Sequence, residues 1–166
     1  MESQRQKQAL ITLCDTSHWR SLVALTFNLK QTIKVPIGGF QIVDELTAKK
    51  AFKEYMRQLN RRIYGSANRR HAKRLRVIPI LEKSANRRWH YHAAIEPPSF
   101  MDPADFGKLA MALWLKTDFG YDRGDVAVNP DAGWITYMAK LRSKSEFEHY
   151  YDCIDTEAFF NPVAGA

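Results

Sequence analysis

The chain predicts an α+β sandwich, a central antiparallel sheet with helices packed on it. Two observations carry this. Short apolar runs rich in β-branched and aromatic residues alternate with stretches whose apolar residues recur at three and four. Two of the apolar runs, RLRVIPILEK (74–83) and RWHYHAAIE (88–96), are joined by the turn SANR and form an antiparallel hairpin.

The elements follow in order. Residues 1 to about 19 show no clear period. SLVALTFNLK (21–30) reads as a strand, and QTIKVPIGGF (31–40), with Pro36 and Gly38-Gly39, as a loop or hairpin. From about Asp44 the period changes: Phe52, Tyr55, Met56, Leu59 and Ile63 line one face of an amphipathic helix that Gly65 ends. GSANRRHAKRLR (65–76) reads as a basic loop. The hairpin strands follow, with Pro79 marking an edge or a bulge. Asp102 then caps a helix with Pro103 in its first turn and Phe106, Leu109, Ala110, Leu113 and Trp114 as its buried stripe. RGDVAVNP (123–130) is a short strand, and GWITYMAKLRSK (133–144) a last helix burying Trp134, Met138 and Leu141. The first six elements, strand, helix, strand, strand, helix, strand, are the split β-α-β pattern of ferredoxin-like and RRM-like folds. Such a fold leaves one sheet face open for a site.

The length of 166 residues and a 45% hydrophobic composition fit one domain spanning 1–166 with a full core. A net charge of +7 suits a polyanionic partner, nucleic acid before membrane. Cys14 and Cys153 form no spaced motif, which fits free thiols in a reducing compartment. No apolar run approaches the ~20 residues of a membrane span, and no signal-peptide core opens the chain. The expectation is a soluble, cytoplasmic protein without a membrane partner.

The chemistry concentrates at His90 and His92. A strand has a side-chain period of two, so both imidazoles point to the same face. They are either two polar residues on a solvated face or two ligands of a metal. Glu82 ends the preceding strand, just across the turn, and is the preferred third ligand. Glu96, four residues after His92, is the competitor. A mixed nitrogen and oxygen set suits Mn²⁺ or Mg²⁺, whereas a structural zinc site would call for cysteines. In the last predicted helix Tyr137, Lys140 and Lys144 share a stripe flanking the buried face. If that helix crosses the sheet face bearing the imidazoles, a phenol and an ammonium meet a metal.

These residues resemble the motifs of HUH endonucleases. The family's His-hydrophobic-His motif is similar to His90-Tyr91-His92, and its Tyr-x-x-Lys motif to Tyr137–Lys140. Glu82 stands where replication initiators of small circular single-stranded DNA viruses place an acidic metal ligand. The family's first motif is similar to LVALTFNLK (22–30), which carries Thr26 and Asn28 over loosely to contacts with DNA or the fold. The resemblance spans about residues 20–145 and leaves 146–166 unplaced. There is no G-x-x-x-x-G-K-[ST] loop of the kind a fused helicase would carry. The chain is thus expected to be a stand-alone nickase or a domain of something longer. The resemblance implies that Tyr137 attacks a phosphodiester of single-stranded DNA and stays joined to its 5′ end. It implies that Glu82, His90 and His92 hold one Mn²⁺ or Mg²⁺ and that Lys140 orients the phosphate. The outcome would be nicking and joining in rolling-circle replication or transposition.

DNA contacts are expected from Arg87, Arg88 and Lys144, and from Arg69 and Arg70 within the eight Arg and Lys residues of 56–76. Trp89, Tyr91 and Phe27 are candidates to stack on bases, although Tyr91 alternates with the histidines and so faces the core. Tyr150-Tyr151 has no lysine at the matching spacing and reads as packing. The competing readings are a non-catalytic RRM-like module binding single-stranded nucleic acid, and a metal-dependent hydrolase using water. The first calls for aromatics on the open sheet face, the second for no tyrosine.

Overall fold

A computed structural model describes residues 12–83, 88–131 and 154–162, together with Arg5, Gln8, Ala9 and Trp134. Arg87, Tyr137, Lys140, Lys144, Tyr150, Tyr151, Cys153 and the predicted helix 133–144 apart from Trp134 lie outside the described residues.

The elements are β1 Val23–Leu29, β2 Thr32–Lys34, β3 Phe40–Ile42, α1 Glu45–Tyr64, α2 Ser66–His71, β4 Val77–Lys83, β5 Trp89–Ile95, α3 Pro103–Leu115 and β6 Gly120–Val128. The main sheet has the order β4-β5-β1-β6, and every adjacent pair is antiparallel. Strands β1 and β4 therefore run the same way, with β5 between them and α1 in the crossover. This is the split β-α-β arrangement of a ferredoxin-like α+β fold.

Local chemistry sets the helix ends. The Asp44 carboxylate accepts from the Thr47 amide at 2.8 Å, and that of Asp102 from the amides of Ala104 and Asp105, which satisfies first-turn donors. Gly65, at φ 54°, ends α1. The chain then resumes a helix over 66–71, where a basic loop was expected. None of the residues of α2 is buried, so it has no apolar period for a sequence to display. Strand β6 begins at Gly120, three residues before the expected start. A Cβ on Gly120 would collide with the Trp114 carbonyl, so glycine lets the chain turn tightly from α3 into β6.

Strand alternation sends odd-numbered residues of β1 and β5 under the helices. Phe27, Tyr91, Phe52, Tyr55 and Trp114 are fully buried there, with the Phe52 and Tyr91 rings stacked at 4.0 Å. Described residues cover part of the opposite face. Cys14, Trp19, Ile78, Ile80, Ala94 and Ile154 form a second cluster, with Leu22, Trp134 and Phe159 packed against it. Residues 154–160 run along the outer edge of β4, bridging Ile154 to Ile80 and Phe160 to Val77. Pro79 sits on this edge strand, as expected, and its carbonyl accepts from the Asp155 amide at 3.1 Å. The edge is thereby capped rather than left open. The Trp19 indole donates to Asn161 at 2.9 Å, joining the two terminal segments. Among the described residues no helix is long and apolar enough to cross a membrane.

Candidate metal centre

The imidazoles lie on the second face, beyond the cluster that Ile78, Ile80 and Ala94 anchor. In the β4–β5 ladder Glu82 pairs with His90 and Ile80 with His92. Across β1, Asn28 pairs with His90 and Thr26 with His92. Antiparallel partners share a face, so Glu82, His90, His92, Thr26 and Asn28 converge there. One Glu82 carboxylate oxygen, Oε2, lies 3.4 Å from His90 Nε2 and 3.5 Å from His92 Nε2. The two rings stand edge to face, 4.7 Å apart. One ligand atom from each of the three residues falls within 4.8 Å of the others, a spacing that can hold a metal ion.

The surroundings suit that role. The three side chains are only 14–15% exposed, which limits competition from solvent without closing the site. Thr26 Oγ1 lies 3.2 Å from His92 Nδ1. With the proton on Nδ1 donated to the threonine, the Nε2 lone pair is turned toward Glu82. An outer hydrogen bond of this kind fixes the tautomer and ring orientation of a metal-binding histidine. Two imidazole nitrogens and one carboxylate form a donor set that borderline divalent ions accept readily and that Mg²⁺, which prefers oxygen, accepts less well.

Glu96 is not part of the set. It accepts from the Arg20 amide at 2.8 Å and pairs with Arg76 at 2.7 Å. Four residues of strand, roughly 13 Å, separate it from His92. Arg88 is beside the centre, its guanidinium 4.8 Å from the Tyr121 ring centroid. Arg69 and Arg70 are exposed on α2, which leads into β4 at the end opposite Glu82. Phe27 and Tyr91, named as base-stacking candidates, are fully buried beneath the helices and cannot reach a base. The Tyr91 hydroxyl instead donates to buried Asp155 at 2.8 Å. Trp89 lies under the Lys83 ammonium, on the helix-facing parity of β5.

One aromatic on this face was missed. Tyr121 pairs with Asn28 across β1, which puts it in the same cross-sheet row as His90 and Glu82. Starting the last strand at residue 123 excluded it. The irregular register between Thr26 and Asn28 would have hidden its orientation even with the right boundary.

No protein-family model, curated protein or solved structure matches the chain.

Proposed function

We propose that the protein is an HUH-type endonuclease that nicks and rejoins single-stranded DNA with Tyr137 as nucleophile. The observation that carries this reading is the convergence of Glu82, His90 and His92 on one face of an antiparallel sheet. That ligand set, in that order along a split β-α-β fold, is the one the motif resemblance implies. A divalent ion held there, Mn²⁺ or Mg²⁺, would supply Lewis-acid polarisation of a phosphate oxygen. Support also comes from Trp134, three residues before Tyr137. It packs against the cluster that contains Ile78, Ile80 and Ala94, which share the sheet face of the imidazoles.

In this proposal the Tyr137 hydroxyl gives up its proton as its oxygen bonds to the phosphorus of the scissile phosphodiester. The bond to the 3′ oxygen breaks, and that oxygen leaves as a hydroxyl after taking up a proton. The 5′ phosphate stays on the tyrosine until a 3′-hydroxyl attacks it and restores the phenol. Lys140 offsets the negative charge that develops on the phosphate. Arg88 and Asn28 border the path of the strand. The order of motifs fits replication or transposition within the cell.

A non-catalytic RRM-like module would present aromatics from the central strands to its nucleic acid. Here Phe27 and Tyr91 of those strands face the helices, which weighs against that alternative.

The test is a denaturing gel of the protein mixed with labelled single-stranded DNA pools and Mn²⁺, with a chelator control. A slower, DNA-linked protein band that needs Mn²⁺, is lost in Tyr137→Phe and persists in Tyr121→Phe is the expected result. Loss in Tyr121→Phe alone would transfer the nucleophile to the sheet. Cut DNA without an adduct would replace the tyrosine mechanism with hydrolysis by water.

A further inference from the structure

Strand β1 carries Thr26 and Asn28 past the imidazoles and leads straight into the β2–β3 hairpin. The hairpin is a separate two-stranded sheet. Its base is fixed by backbone bonds from Lys30 to Phe119 and from Val43 to Gln31. Its tip turns through Gly38 and Gly39, at φ 95° and 87°. Ile33 packs against the helix-side core. Cross-strand pairing of Thr32 with Ile42 and of Lys34 with Phe40 gives the ribbon an opposite face that turns away from that core, as the imidazoles do.

That face is apolar, basic and open. Phe40 is 71% exposed, Ile42 76% and, at the tip, Ile37 98%. Residues 30–42 contain Lys30 and Lys34 and no acidic residue. Apolar side chains of this size are normally withdrawn from water, and a group of them on a narrow ribbon marks a contact surface.

We propose that the β2–β3 hairpin is a stacking ribbon for single-stranded DNA, on which Phe40 and Ile42 receive unpaired bases while Lys34 holds a phosphate between them. The inference rests on the single-stranded DNA reading above and extends it to a second contact region. Two features favour this occupant. An aromatic ring beside a lysine matches the alternation of base and phosphate along a strand. The ribbon is also continuous with the metal centre, because Asn28 and Thr32 are separated by only four residues of one chain, about 13 Å if extended. A second copy of the protein would instead set Lys34 against its own counterpart, in a chain already at +7.

The experiment is fluorescence anisotropy of a short, labelled oligonucleotide of random sequence, titrated with the intact protein and with Phe40→Ala, Ile42→Ser and Lys34→Ala. These side chains are exposed, so the variants should fold, and circular dichroism checks that they do. Phe40→Ala should weaken binding about 5- to 100-fold. Lys34→Ala should weaken it less and lower the salt dependence by about one phosphate contact. An intact protein that binds no single-stranded DNA would overturn both this inference and the nickase reading. Full-strength binding by Phe40→Ala and Ile42→Ser would overturn the hairpin assignment alone. In that case, flotation with phosphatidylserine vesicles or self-association by sedimentation, lost in Phe40→Ala, would reassign the ribbon to a membrane or to a second copy.

Discussion

His90 and Glu82 are direct partners across the β4–β5 ladder, with imidazole Nε2 3.4 Å from carboxylate Oε2. His92 approaches the same oxygen at 3.5 Å. One carboxylate thus serves two imidazoles that the strand period had already set side by side.

Removing either partner of this pair should weaken metal binding sharply. His90→Ala and Glu82→Gln are each expected to weaken Mn²⁺ by more than about 100-fold in calorimetry, because outer-shell partners alone are worth 10- to 100-fold. In the unaltered protein, Mn²⁺ at about 100 times its Kd should add ~2.7 kcal/mol to stability. Chelator should reverse the accompanying rise in Tm. A Tm indifferent to Mn²⁺ would remove the metal from the mechanism.

Thr26→Val keeps the volume of the side chain and removes the oxygen 3.2 Å from His92 Nδ1. The expected result is Mn²⁺ affinity lower by about tenfold, with single-stranded DNA affinity nearly unchanged. Equal losses in both would assign Thr26 to the DNA rather than to the imidazole.

Three buried acids make the fold sensitive to alkali. Burial pushes the Cys14 thiol from its ordinary 9.0 up to about 12. Burial also holds the phenols of Tyr55 and Tyr91 well above their ordinary 10.0, and for Tyr91 the Asp155 carboxylate adds to the effect. All three values are higher in the folded chain, so the folded state keeps protons that the unfolded state gives up. The stability they contribute is therefore fully present below about pH 9 and is lost as pH rises above that. The slope is about 1.4 kcal/mol per pH unit for each group that must ionise. Urea denaturation at stepped pH reads this directly. Cys14→Ala should flatten the part of the slope that begins near 9, leaving the part due to the tyrosines.

Much of the centre was legible because it depends on local periodicity. Alternation in RWHYHAAIE is enough to put His90 and His92 on one face and Tyr91 on the other. A turn as short as SANR leaves Glu82 as the nearest carboxylate. The helix cap at Asp102 is likewise a short-range signal. The helix at 66–71 was not legible, since a turn of helix that buries none of its residues has no apolar stripe.

What the sequence by itself determined is the order of the four main-sheet strands and the two longer helices between them, and the common face of the two imidazoles, because these follow from the 3.6- and two-residue periods of the backbone. Only the tertiary structure decided that Thr26 backs His92, that Tyr121 lies in the row of His90 and Glu82, and that residues 154–160 cap the β4 edge while Trp19 bonds Asn161. Those pairings join residues 31 to 142 positions apart, and more than 60 in most cases. They are set by how whole surfaces pack and by where a strand's register slips, neither of which leaves a mark on local spacing.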